Sequence, residues 1–211
     1  HAKMQMSRLR YDRLSYDTSG LLGPPGRWLL WFHGCHRSCP GCIAADWNNA
    51  DAEYELSFQT LTRLLDTHPD AEGITISGGE PFDQAAALAG LTEALHRRGL
   101  GIIVYTGFTL GELRAMKDPA VERVLAVTDA LIDGPYRAEL DDGKAFRGSA
   151  NQVIHHLTPR YRAYFSVPDA ERRTTIQKNG GVYSLTGIPT ERAKEEWLSL
   201  HRKFSKGEMI P

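Results

Sequence analysis

Cysteine is scarce in this chain: there are three among 211 residues, and all three fall between Cys35 and Cys42. A disulfide scaffold scatters an even number of cysteines along the chain, so a stapled secreted fold is excluded. There is no second, separated cysteine pair of the sort that structural zinc sites usually draw on. Long apolar runs are also missing. No stretch approaches the roughly 20 residues that a membrane-spanning helix needs. The opening residues, His1-Ala-Lys-Met-Gln-Met-Ser7, hold no apolar signal-like segment. Neither sign of charge is in excess: the formal net charge is −1. Composition therefore offers no grip on nucleic acid or an anionic membrane. Internal repeats and low-complexity tracts are absent. Clustered thiols without a signal segment lead us to expect a reducing cytoplasm.

What the chain does have is Cys35-His-Arg-Ser-Cys39-Pro-Gly-Cys42. Three thiols in one loop can converge on a single inorganic centre. The C-x3-C-x2-C spacing leaves that centre one protein ligand short of four, and an iron–sulfur cluster held this way keeps one iron open. Two plainer readings compete with it. One is a Cys3His zinc knot with His33 or His36 as fourth ligand. The other is three ordinary buried thiols, since free cysteine is a common core residue. The tight clustering beside Gly34, Pro40 and Gly41 favours the cluster.

The 211 residues, 41% of them hydrophobic, imply one domain with room for an appendage. Trp28–His33 is a continuous apolar run, as expected of a strand buried on both faces, and the cysteine loop follows it. Ser57 opens a helix with Phe58, Leu61, Leu64 and Leu65 on one face. Gly73–Ser77 reads as a strand that ends in Gly78-Gly79-Glu80-Pro81. Asp83 is placed to cap the next helix, whose stripe is Ala87, Leu88, Leu91 and Leu95. Gly101–Thr106 is a further strand. Thr109-Leu-Gly-Glu112 is a capping box, and Asp118-Pro119 starts another helix. Ala130–Asp133 and Val153–His156 complete a set of five strands. Strand and helix in alternation imply an α/β fold with a parallel sheet. Functional residues then belong at the C-terminal strand ends. The cysteine loop, Gly78-Gly79-Glu80, Thr106-Gly107 and Asp133-Gly134 all fall on that rim.

Beyond Leu157 the pattern changes. Residues 158–173 read as a linker rich in arginine and tyrosine. Thr174–Gln177 and Val182–Thr186 flank Asn179-Gly180-Gly181, a hairpin signal. Thr190–Phe204 reads as a helix with Ala193, Trp197, Leu200 and Phe204 as a stripe that packs on the core. The expected division is a core of residues 1–157 and a C-terminal extension of residues 158–211 packed on it.

The cysteine loop after the first strand and the Gly-Gly-Glu-Pro after the second resemble the two signature elements of the radical S-adenosylmethionine superfamily. Within it the chain is most similar to the activating proteins of anaerobic ribonucleotide reductase, the small glycyl-radical activases. That similarity rests on Cys39-Pro40-Gly41-Cys42, Tyr105-Thr106-Gly107-Phe108, Ile132-Asp133-Gly134 and, most specifically, Arg147-Gly148-Ser149-Ala150-Asn151-Gln152. It spans roughly residues 28–157. Gly23-Pro24-Pro25-Gly26-Arg27 modifies the Gly-Pro-Gly-x-Arg turn of the activases, and Ile43 replaces a common aromatic residue.

The resemblance implies a partial, open parallel β/α barrel with a C-terminal hairpin and helix appended. It implies a [4Fe–4S] cluster on Cys35, Cys39 and Cys42, with S-adenosylmethionine on the fourth iron. Gly78 and Gly79 would let the backbone approach that cofactor, and their carbonyls, with Glu80, would take its ammonium group. Thr106 joins this set by its place on the rim. Asp133 would face the ribose or methionyl group, or else cap its strand. Arg147, Asn151 and Gln152 would hold the cofactor carboxylate or the target peptide, or else form a structural network. His155 and His156 read as structural.

The implied activity is reductive cleavage of S-adenosylmethionine to a 5′-deoxyadenosyl radical, which takes hydrogen from a glycine of a partner enzyme. The implied partners are that glycyl-radical enzyme and a flavodoxin-like electron donor, for which Arg160, Arg162, Arg172 and Arg173 are candidate docking residues. A radical enzyme acting on a small molecule or modified peptide is the alternative. A metal-binding module without catalysis is the third.

Overall fold

A computed structural model describes residues 8–45, 54–167, 170–179 and 182–205. The N-terminal heptapeptide and the Gly180-Gly181 hairpin tip lie outside these residues.

The sequence pattern explains the centre of the fold. The apolar runs form β2 (Arg27–Phe32), β4 (Gly73–Gly78), β5 (Gly101–Tyr105) and β6 (Ala130–Asp133), all mutually parallel. Side chains of β2 alternate between two apolar faces. Trp28, Leu30 and Phe32 join the larger core, while Leu29 and Trp31 pack with Leu21 and Leu22 on the other side. Burying each such large side chain contributes about 1.5–3 kcal/mol.

Four helices supply the larger core. These are α1 (Phe58–Leu65), α2 (Ala85–Arg97), α3 (Leu110–Ala115) and α4 (Pro119–Val127). They bury Leu61, Leu88, Leu95, Leu113, Val121 and Val124 against Ile74, Ile76, Ile102 and Val104. The Ser57 cap, the Thr109–Glu112 capping box and the Asp118 cap all form. Asp83 does not cap α2. It lies within a 3₁₀ turn, Pro81–Gln84, and its carboxylate faces the cysteine loop instead.

The sheet is not parallel throughout. Its order is β3-β1-β2-β4-β5-β6-β7, with β1 (Leu9–Asp17), β3 (Tyr54–Leu56) and β7 (Val153–His156). β1 and β7 pair antiparallel to β2 and β6, and β3 antiparallel to β1. One point of the expectation is thereby corrected: Val153–His156 is a strand but runs against its neighbour. The sheet is open, with edges at β3 and β7 among the described residues.

The reason lies in the connections. A parallel neighbour needs a long crossover back across the sheet. Residues 134–152 stay on the rim where β6 ends, with one short 3₁₀ turn at Ala138–Leu140. β7 therefore starts opposite Asp133 and runs back, with Asp133 in register with Val153.

Past β7, a short helix α5 (Arg162–Phe165) is followed by a two-stranded hairpin, β8 (Thr174–Asn179) and β9 (Val182–Gly187), and by α6 (Glu191–Ser205). Trp197 of α6 is buried. The side chain of Phe204 lies outside the described set.

Candidate functional site

The cysteine loop leaves β2 at the C-terminal rim of the parallel strands, and several tethers shape it. Asp83 Oδ2 accepts from the His36 amide at 3.0 Å, and Asp83 Oδ1 pairs with His36 Nδ1 at 2.6 Å. The Arg37 amide donates to Cys35 Sγ at 3.3 Å. The Arg37 guanidinium lies over the Phe108 ring, 4.2 Å from its centroid, and approaches Glu112 at 3.7 Å. Cys39-Pro40-Gly41-Cys42 closes a turn, with the Cys42 amide on the Cys39 carbonyl at 3.1 Å. Burial pushes the Cys35 and Cys42 thiols upward. At Cys35 nearby acidic charge adds to this, and at Cys42 the Lys194 charge acts the other way.

Cys35, Cys39 and Cys42 all line one cavity of about 200 Å³, together with Gly78, Gly79 and Glu80. All three thiols are free and partly exposed. Gly78 ends β4 at φ +102°, and a Cβ there would lie 2.4 Å from the Phe32 amide nitrogen. Glycine at 78 is therefore demanded by the close approach of β2. The room for a cofactor is a consequence of that packing. The Gly79 amide donates to the Phe32 carbonyl and the Glu80 amide to the Gly34 carbonyl, which lashes this turn to the base of the cysteine loop.

Glu80 is almost fully buried. Its Oε1 accepts from the Phe82 amide at 3.0 Å and from Thr106 Oγ1 at 2.8 Å. Its Oε2 accepts from the Gly107 amide at 2.8 Å. Burial pushes its carboxyl upward and these donors oppose the shift. The carboxylate thus fastens the β4 rim to the β5 rim, and Thr106, which also lines the cavity, is its partner.

Asp133, Arg147 and Asn151 do not line this cavity. Asp133 is buried behind it. Its Oδ2 accepts from the Leu110 amide at 2.6 Å and faces His155 Nε2 at 2.8 Å, and its Oδ1 accepts from the Val153 amide. That is the strand-end cap. Arg147 pairs with Asp142. Asn151 Nδ2 donates to the Pro135 carbonyl at 2.8 Å. Gln152 does reach the cavity wall. Its amide oxygen accepts from the Gly148 and Ser149 amides, and its Nε2 donates to the Gly134 carbonyl, so it folds the Arg147–Gln152 segment onto the rim.

A family described as a 4Fe-4S single cluster domain matches residues 21–155. The anaerobic ribonucleoside-triphosphate reductase-activating protein of Salmonella typhi is 33% identical over 158 residues, covering 71% of this chain and 99% of the relative. The chain belongs to this family of reductase-activating proteins. The Escherichia coli K12 member is 33% identical over 151 residues, covering 67% of this chain and 96% of the relative. The member from phage T4 is 27% identical over 154 residues, 69% of this chain and 93% of the relative.

The residues present fit the cluster that the family description names. The cavity wall offers three thiols and no imidazole, as neither His33 nor His36 lines it. Among the described residues no three His, Cys, Asp or Glu side chains converge as a single-ion site. Thiolates that each take a different iron do not require that convergence.

Several residues of the site carry no motif in the sequence, four of them polar residues that the fold brings in from a distance. Tyr136 and Asp141 come from the rim segment, and Arg172 and Lys194 from beyond residue 155. The sequence marks Arg172 as a candidate surface docking residue, yet its side chain is only 2% exposed and forms a two-point pair with Asp141. Arg160 is held by Glu72 and the Gly99 carbonyl, and Arg173 by the Ser19 and Gly20 carbonyls. Of these arginines, Arg172 has a buried side chain, while Arg160 and Arg173 make their hydrogen bonds at the surface. Among the described residues no helix is long and apolar enough to cross a membrane.

Proposed function

We propose that this protein activates an anaerobic ribonucleotide reductase by generating a glycyl radical in it. The observation that carries the reading is the shared cavity. The three cysteines, the Gly78–Glu80 strand end and Thr106 meet there, in a chain aligned with reductase-activating proteins over nearly their whole length.

In this reading Cys35, Cys39 and Cys42 hold a [4Fe–4S] cluster, and S-adenosylmethionine lies along Gly78 and Gly79. When bound, the pair supplies a reducing electron and a carbon-centred radical that removes hydrogen from the target glycine. The protein's share is positioning. The Gly78 and Gly79 carbonyls accept from the cofactor ammonium, and Glu80, held by Thr106 and Gly107, keeps that turn in shape. Tyr105 and Ile188 give the wall an apolar stretch that limits water. An external donor of flavodoxin type supplies the electron. It docks elsewhere than on Arg172, whose guanidinium group is buried against Asp141. The compartment is the cytoplasm, where thiols stay reduced.

The test is anaerobic reconstitution with iron, sulfide, a reductant and S-adenosylmethionine, followed by incubation with an anaerobic ribonucleotide reductase. A glycyl-radical doublet in the electron paramagnetic resonance spectrum of the reductase is expected. Cofactor cleavage without that doublet, matched instead to turnover of a small molecule or modified peptide, would overturn the reading in favour of the alternative.

A further inference from the structure

We propose that the segment beyond the family-matched residues is a working wall of the cluster site, and that Lys194 is its positioning residue. This rests on the functional reading above. The family match ends at residue 155, yet Arg172, Ile188, Pro189, Glu191 and Lys194 line the same cavity as the three cysteines.

Two interlocks join the segment to the site. On one side Lys194 Nζ donates to the Gly41 carbonyl, inside the Cys39–Cys42 turn. Gly41 sits at φ +76°, a left-handed conformation that favours glycine. The ammonium also lies 5.9 Å from the centroid of the Tyr136 ring. On the other side Arg172 donates to the Arg147 and Gly148 carbonyls at 2.8 and 2.7 Å while paired to Asp141. The appended segment therefore grips both the cysteine turn and the Arg147–Gln152 segment.

The helix that carries Lys194 is itself fixed. Thr190 Oγ1 accepts from the Ala193 amide, and Trp197 is buried one turn further on. The lysine is thus presented to the turn by a packed element.

Groups that orient cluster ligands change metal retention by about ten- to a hundredfold when removed. Local charge, hydrogen bonding and solvent exposure set the reduction potential. Lys194 bears on each of these. Removing its positive charge disfavours the reduced, more negative cluster.

The experiment uses the anaerobically reconstituted full chain as wild type, Lys194→Met, Lys194→Arg and Arg192→Ala. Arg192 is an exposed control on the same helix, paired with Glu196. Iron transfer to a chelator and the cluster midpoint potential are measured, with thermal unfolding of each apo form as the check on folding. Lys194→Met is expected to lose iron about tenfold faster and to show a more negative potential. Lys194→Arg should recover both properties, and Arg192→Ala should match wild type. Lys194→Met with wild-type iron loss and potential would overturn the inference alone. A wild type that takes up no four-iron cluster would overturn the functional reading as well.

Discussion

Thr106 Oγ1 donates to Glu80 Oε1 at 2.8 Å, and this bond ties the end of β5 to the end of β4 at the lip of the cavity. Thr106→Val leaves a buried carboxylate one donor short. Such a loss costs about 1–3 kcal/mol, which lowers the thermal midpoint of a chain this size by about 2–4 °C per kcal/mol. Weaker S-adenosylmethionine binding should accompany it. Differential scanning calorimetry and titration calorimetry of the reconstituted protein check the two effects.

Gly78→Ala places a methyl group 2.4 Å from the Phe32 amide nitrogen at a φ of +102°. The three nearest atoms are all β2 backbone, of Trp31 and Phe32, which leaves nothing cheap to move. The variant should lose about 3 kcal/mol or more of stability, even without cofactor. Urea unfolding of the apo protein measures this. An unchanged midpoint would mean that β2 and β4 can move apart at little cost.

Cys35→Ser, Cys39→Ser and Cys42→Ser should each lower bound iron from about four per chain after reconstitution. Their apo forms should stay within about 0.5 kcal/mol of wild type, because these thiols lie on a partly exposed loop. Iron analysis and the visible spectrum report the first effect, and chemical unfolding the second.

Arg172→Ala removes one partner of a buried ion pair and leaves Asp141 and the carbonyls of Lys144, Arg147, Gly148 and Pro189 without this donor. The expected cost is about 3–5 kcal/mol. Arg172→Lys should recover little, since a point charge cannot reproduce the two-point contact. Comparing the two variants by thermal unfolding separates loss of charge from loss of geometry.

His156 supplies a pH dependence. Burial holds its imidazole below the usual range, and the charges of Arg162 and His155 act in the same direction. The unfolded chain therefore binds this proton more readily. The contribution is whole above the unfolded value of about 6.5 and fades as pH falls through the lower folded value. Between about pH 7 and about pH 5 the wild-type melting temperature should fall more steeply than that of His156→Gln. Parallel slopes would remove the histidine from the account.

Much of the site is legible in the amino-acid sequence. C-x3-C-x2-C is a local signal, because its three thiols lie within one loop. The parallel strands are legible because residues buried on both faces must read as unbroken apolar runs. β1 is not, because the register shift between Tyr11 and Arg13 sets the polar pair Asp12-Arg13 in the middle of Leu9–Asp17 and breaks its alternation. Asp83 misleads because a carboxylate before an apolar stripe looks like a helix cap. Only the 3₁₀ turn reveals that it faces His36.

By itself the sequence determined the candidate ligand set, the parallel centre of the sheet and the family, since each depends on residue type and short spacing. The tertiary structure decided which polar residues meet the cavity. It turned Asp133 into a strand cap, buried Arg172 in an ion pair, and brought Lys194 to Gly41 across more than half of the chain. Those outcomes rest on long-range packing of a rim segment and an appended helix, and no local pattern encodes that.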